Sequence, residues 1–218
     1  MIKLVIFDGS GTLLNDLLVT WKAVSRILVY FGKQTDNLIT FRKNFRLPYW
    51  NYYISKGIAF DSLKVTLPNL YSKFYLELID EIKLFPDVEE VTKSLLNMSV
   101  KLAIASQTPK EALSRVLQMS NIADKFNLIL GLEDHQNPKP SPESILTVLN
   151  KLGISSAETI YVGDMAEDII YAKSAGVTPV AIYRDEAAYH IRSYLEKERP
   201  AFIINDLREL IEIVRANN

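Results

Sequence analysis

The sequence contains no cysteine and only two histidines, His135 and His190, among its 218 residues. The first absence removes disulfides, iron–sulfur clusters, thiolate zinc sites and thiol nucleophiles together. The second leaves little for a multi-histidine metal centre and does not favour a Ser-His-Asp triad. Glycine and proline are sparse too, at eight and nine residues, too few for a loop-dominated fold. No apolar run approaches the roughly 18 residues that cross a bilayer, and the apolar start of the chain, Met1 to Phe7, is too short for a signal peptide. A cytoplasmic location without membrane contact is therefore expected. What remains is 48% hydrophobic and 23% charged with a formal net charge of −1, an ordinary globular composition. Any chemistry has to run on carboxylates, lysine and hydroxyls.

The small net charge hides an asymmetry. Residues 15–84 carry ten basic and six acidic side chains, a balance of +4, and the rest carry fifteen and twenty, a balance of −5. With an overall pI near 6.2, this falls far short of a nucleic-acid footprint, for which a domain pI above about 9 is usual. It suits a small anionic ligand. The length fits one large domain, or a core carrying a smaller one, and a monomer or weak homodimer is expected.

Short Val- and Ile-rich runs at 2–7, 101–105, 128–130, 159–162, 179–183 and 201–204 are apolar throughout rather than alternating, as strands are when helices cover both faces. Between them, helical spacing predicts helices over 87–98, 112–119, 142–152, 166–175, 186–197 and 206–214. Alternating strand and helix implies an α/β fold, a doubly wound Rossmann-like parallel sheet with right-handed crossovers. From Leu17 to about Lys83 the period is helical, rich in aromatics, with no convincing buried strand. That is too long for a crossover loop and reads as an inserted all-helical cap over 15–84, with 1–14 and 85–218 forming the core.

Ligands of open parallel sheets bind at the carboxyl ends of the strands. After the first strand stand Asp8-Gly9-Ser10-Gly11-Thr12, a carboxylate followed by two glycines that let backbone amides approach an anion. The second strand of the pattern ends in Ser106-Gln107-Thr108-Pro109, opening a helix, where a hydroxyl and free amides suit a phosphate oxygen or simply cap the helix. Asn137-Pro138-Lys139-Pro140 presents one ammonium on a rigid loop. After 159–162 come Gly163-Asp164 and Asp168, two acids on one side of a helix start; they suit the helix dipole, or with Asp8 an oxygen-ligand site for Mg²⁺.

In these four segments the chain resembles the haloacid-dehalogenase-like hydrolase superfamily, in its phosphoglycolate-phosphatase-like branch with a small helical cap. The resemblance implies a Mg²⁺-dependent phosphomonoesterase. In it Asp8 attacks phosphorus and forms an aspartyl-phosphate, and Lys139 bridges nucleophile and phosphate. Ser106 and Gln107 contact the phosphoryl group, and Asp8, Asp164, Asp168 and the Ser10 carbonyl hold the metal. Those carboxylates must then lie within about 8 Å of one another. Dehalogenation is set aside, because dehalogenases lack the acid pair found at Asp164 and Asp168.

Position 10 departs from the family pattern, which has an aspartate there as general acid and base. A serine hydroxyl serves that role poorly at neutral pH, so turnover is expected to be slow, and Ser10→Asp to raise it at least about ten-fold. His135 is one candidate substitute donor. Two other readings stay open: a phospholigand-binding protein without turnover, and a phosphonoacetaldehyde-hydrolase-like enzyme using a cap lysine, with Lys56 the candidate. Substrate choice is expected to lie with Arg42, Lys43, Arg46, Tyr49 and Lys56, meeting a second anionic group on a small phosphorylated metabolite. Trp50, Phe41 and Tyr53 are expected to pack the cap's own core.

Overall fold

The structure is a computed structural model that describes residues 1–134 and 136–218; His135 lies outside the described residues. In chain order the strands are β1 (Leu4–Phe7), β2 (Leu14–Asn15), β3 (Lys83–Leu84), β4 (Lys101–Ala105), β5 (Leu128–Leu130), β6 (Thr159–Gly163), β7 (Thr178–Ile182) and β8 (Phe202–Ile204). Six of them form one sheet in the order β5-β4-β1-β6-β7-β8, every neighbouring pair parallel. The strand order reverses beside β1, and the crevice at that switch point is where such sheets take ligands.

Strand β1 explains why its sequence carries no polar alternation. Val5 and Phe7 pack into one helical layer with Val91, Leu95 and Leu113, while Leu4 and Ile6 pack into the opposite layer with Val148, Tyr161 and Tyr171. All four side chains are fully buried, each contributing roughly 1.5–3 kcal/mol relative to exposure. Hence Asp8, the next residue, emerges from a strand held on both faces.

Helices α1 (Leu17–Tyr30), α2 (Leu38–Asn44), α3 (Trp50–Ser55) and α4 (Phe60–Leu76) make up the insert. Their own core, including Val24, Leu28, Phe41, Tyr52, Tyr53 and Leu63, continues onto Met165 and Tyr189 from the sheet side. Helices α5 (Val88–Asn97), α6 (Lys110–Met119), α7 (Glu143–Leu152), α8 (Ala166–Ser174), α9 (Arg192–Lys197) and α10 (Glu209–Ala216) alternate with the strands. The antiparallel ribbon β2–β3 pairs Leu14 with Leu84 and Asn15 with Lys83, at the root of the insert. Two-residue strands leave no periodicity to read.

One expected element differs. The helix read over 186–197 is a single 3-10 turn at Asp185–Ala187, then extended chain, then α9 from Arg192. Ala188, Tyr189 and His190 are all buried. Their packing and hydrogen bonds, described below, override a weak helical preference. Among the described residues no helix is long and apolar enough to cross a membrane.

Candidate active site

Three strand ends and one proline-bounded loop converge above the switch point. Asp8 follows β1, Ser106 follows β4, and Asp164 follows β6, with Asp168 in the first turn of α8. The two glycines around position 10 are sterically required. A Cβ on Gly9 would sit 2.7 Å from Leu113 Cδ2 and 2.9 Å from Ser106 Oγ. On Gly11, whose φ is +71°, it would sit 2.3 Å from Asp164 Oδ2. The loop is also held from behind: Arg184 donates to the Thr12 carbonyl at 2.9 Å while pairing with Asp87 at 2.7 and 3.1 Å.

Lys139 is buried between two acids, its Nζ 2.8 Å from Asp8 Oδ1 and 2.8 Å from Asp168 Oδ1. Asp168 is fixed further by the Met165 amide, which donates to its Oδ2 at 2.9 Å, and by the Tyr161 hydroxyl at 3.3 Å. One carboxylate oxygen from each of Asp8, Asp164 and Asp168 lies within 4.8 Å of the others. Three buried carboxylates thus face one ammonium. Burial, reinforced by Asp168 and Asp8, pushes the Asp164 carboxyl well above its ordinary value. Burial also raises Asp8 to about 6, although Lys139 opposes it. Burial works against the Lys139 ammonium, but Asp168 and Asp8 outweigh it and hold its pKa above the usual lysine value. Asp164 Oδ2 is buried with no hydrogen-bond partner among the described residues. An all-oxygen trio with surplus negative charge and an orphaned oxygen fits a hard divalent cation.

At the end of β4, Ser106 Oγ accepts from the Thr108 amide at 3.1 Å and donates to Thr108 Oγ1 at 3.0 Å. Gln107 lines the cavity, and both its amide nitrogen and oxygen are buried without a hydrogen-bond partner among the described residues.

Position 10 has a neighbour that sequence reading missed. Ser10 Oγ donates to Asp16 Oδ2 at 2.7 Å and lies 2.8 Å from the Tyr189 hydroxyl. Asp16 is 1% exposed; it accepts from the Gly11 amide at 3.0 Å and from the Tyr75 hydroxyl. Tyr189 in turn donates to Thr20 Oγ1 at 2.6 Å. Asp16 occupies the N-cap position of α1, yet its side chain makes no capping hydrogen bond. Burial raises its pKa, opposed by the hydrogen bond from Tyr75.

The cap residues expected to meet a second anion have partners within the protein. Arg46 Nη1 donates to the Phe45 carbonyl at 2.6 Å, and its guanidinium lies over Tyr194 at 4.5 Å. Lys56 pairs with Asp36 at 2.6 Å, and Arg42 donates to the Asp185 carbonyl at 3.0 Å. None of these, nor Lys43, is among the residues lining the cavity over Asp8. Arg42, Arg46 and Lys56 thus each meet an acceptor within the fold, which charge counting along the chain does not reveal. Tyr49 does line it, joined by Tyr53, Tyr71 and Tyr189. Tyr53 therefore serves both the cap's core and the cavity wall. His135, the candidate donor, lies outside the described residues.

A family model described as haloacid dehalogenase-like hydrolase matches residues 5–182. This α/β chain, with carboxylates at its strand ends and a helical insert, belongs to that family of hydrolases. It is 27% identical over 217 residues to a phosphoglycolate phosphatase of Pseudomonas syringae pv. tomato, covering 96% of this chain and 78% of the relative. It is 32% identical over 132 residues to a pyrophosphatase of Halalkalibacterium halodurans, covering 60% of this chain and 59% of the relative. Its fold matches a solved haloacid dehalogenase-like family hydrolase of Streptococcus pneumoniae with a TM-score of 0.81 at 19% identity, covering 98% of both chains.

Proposed function

We propose that this hydrolase is a Mg²⁺-dependent phosphatase acting on small phosphate monoesters through an aspartyl-phosphate on Asp8. The observation that carries the reading is the buried Asp8–Lys139–Asp168 chain beside an unsatisfied Asp164. Its names among relatives point the same way.

A carboxylate is nucleophilic at neutral pH without prior deprotonation, but it repels a dianionic phosphate. Lys139 offsets that repulsion from one side, its ammonium bridging Asp8 to the incoming phosphoryl oxygens. Ser106 Oγ and the amides opening α6 offer hydrogen bonds to the same oxygens. Asp8, Asp164, Asp168 and the Ser10 carbonyl would hold the metal, which supplies Lewis-acid charge neutralisation at the phosphoryl group. Asp8 displaces the alcohol and forms the acyl phosphate; water then attacks phosphorus, releasing orthophosphate and restoring Asp8. Toward the leaving oxygen, position 10 offers a neutral hydroxyl with the Asp16 carboxylate directly behind it. The phosphonoacetaldehyde-type alternative requires a free cap lysine, and Lys56, paired with Asp36 outside the cavity, does not favour it.

Hydrolysis of acetyl phosphate and p-nitrophenyl phosphate, followed with and without Mg²⁺, tests the reading. Chelation is expected to abolish turnover, and Asp8→Asn to lower it by at least about 10³-fold with the fold retained. Turnover that survives Asp8→Asn removes the covalent route. Tight Mg²⁺ binding with no turnover of either ester favours a binding protein instead.

A further inference from the structure

The cavity over Asp8 is small, about 60 Å³ to the centres of water molecules, and its two ends differ in kind. Toward the sheet it holds Asp8 and Lys139. Toward the cap it is walled by Val24, Phe45, Leu47 and Tyr53, with Met165 and Tyr189 closing the side. Among the described residues that line it, the one cation is Lys139, already shared by two carboxylates. Of the cap's cations, Arg42, Arg46 and Lys56 are engaged elsewhere. Behind Ser10 stands a further carboxylate, Asp16, and the adjoining cavity that shares Tyr49 and Gln107 carries both a cation and an anion, Lys64 and Glu133. The tyrosines of the lining, Tyr49, Tyr53, Tyr71 and Tyr189, present phenols, which are neutral at pH 7. The polar groups left to recognise a leaving group are therefore uncharged, and Gln107 brings one buried donor and one buried acceptor without partners.

Resting on the phosphatase reading above, we infer that this site selects a monoester whose leaving group is neutral: a small hydroxylated alcohol, rather than one bearing a carboxylate or a second phosphate. A second anion would enter a wall with no counter-charge, facing buried carboxylates, and an unpaired buried charge is strongly disfavoured. A hydroxyl would instead satisfy the Gln107 amide while the carbons rest on Val24, Leu47 and Tyr53. The inference runs against the substrate named for the phosphoglycolate phosphatase relatives.

The test uses two esters of one skeleton, 2-hydroxyethyl phosphate and 2-phosphoglycolate, which differ in a CH₂OH against a carboxylate. The wild-type protein with Mg²⁺ is expected to favour the hydroxyl ester in kcat/KM by about 10²-fold, the scale at which a polar mismatch in a pocket discriminates. A ratio of one or below overturns the inference while leaving the phosphatase reading intact. Failure to turn over either ester or acetyl phosphate removes both. As a second arm, Leu47→Arg places a guanidinium at the half-buried cap wall. It is expected to shift the ratio at least about ten-fold toward phosphoglycolate. An unchanged ratio in a folded Leu47→Arg protein also overturns the claim that missing cationic charge sets the choice.

Discussion

The two ends of the cavity are built on opposite electrostatic plans. At the sheet end, charge is concentrated: three carboxylates and one ammonium are buried together, at two strand termini, one helix start and a proline-bounded loop. At the cap end, charge is withdrawn from the wall: the insert carries a balance of +4, yet Arg46 and Lys56 turn to acceptors outside the cavity and phenols and aliphatics line it. The sheet end governs which bond breaks, because concentrated charge is what phosphoryl transfer needs. The cap end governs which alcohol leaves, by withholding charge. A positive insert is thus not a positive site. What decides is where each side chain finds its acceptor.

The largest expected effect breaks this contrast at the sheet end. Lys139→Met leaves Asp8 and Asp168 buried without their shared counter-ion, a change that typically costs about 3–5 kcal/mol. Turnover should fall by about 10³-fold, since the same ammonium would screen Asp8 as the proposed nucleophile. Mg²⁺ should raise the melting temperature of the variant more than that of wild type, because the surplus charge at the trio is greater. Lys56→Met is the matched change at the cap end. Its pair with Asp36 is partly exposed, 24% and 13%, so a cost of about 0–1 kcal/mol is expected. Equal losses in the two variants, read by thermal denaturation and acetyl phosphate turnover, would erase the distinction between the ends.

The same divide explains what was legible in the sequence. The six sheet strands announce themselves because burial on both faces requires unbroken apolar runs, as at β1 and β6. The residues that follow them, Asp8, Ser106 and Asp164, could be located by strand-end logic alone. Lys139 stood out because prolines flank it. Asp16 was illegible because an acid before a helix has a sufficient local explanation as a cap. Tyr189 was hidden inside an apparent helical pattern over 186–197 that tertiary contacts interrupt. The directions of Arg46 and Lys56 were not legible, because residue type reports charge but not direction, and their acceptors, the Phe45 carbonyl and Asp36, are known only once the chain is folded.

A smaller effect sharpens the contrast at its seam. The sequence alone predicts that Ser10→Asp raises turnover. The structure reverses that expectation, since a carboxylate at position 10 would meet Asp16, now 2.7 Å from Ser10 Oγ, and two buried acids in contact do not both ionise without cost. Ser10→Asp alone should lower the melting temperature and leave turnover no higher than wild type. The exchange Ser10→Asp with Asp16→Ser removes the clash of charge while keeping one acid and one hydroxyl in contact. It should recover stability and raise turnover at least about ten-fold, within the usual contribution of a positioned acid. If the single substitution matches the exchange in both readouts, Asp16 has no part in how position 10 works.

The smallest effect concerns how the two ends are held together. His190 is fully buried between them. Its Nδ1 accepts from the Ala166 amide at 3.1 Å on the sheet side, and its Nε2 lies 3.3 Å from the Phe45 carbonyl on the cap side. The Ala166 N–H requires Nδ1 to be unprotonated, so the neutral ring with hydrogen on Nε2 is the form that bridges cap and core. Around it stand Glu167, whose Oε2 is 3.8 Å away, the Arg46 guanidinium and the Tyr194 ring. Burial, then Arg46, lowers the His190 pKa from 6.5 to about 4. A histidine with a depressed folded pKa contributes stability that is complete above its unfolded value and fades as pH falls toward the folded one. The advantage of wild type over His190→Asn should therefore be full at pH 7.5 and shrink progressively as the pH drops from about 6.5 toward 4. Glu167 titrates in both proteins, so the difference between them isolates the histidine. A few degrees in melting temperature are at stake, at roughly 2–4 °C per kcal/mol for a chain of this size. An advantage that stays constant from pH 7.5 to 4.5 would mean that the ring joins cap to core by packing alone, without need of its neutral nitrogen.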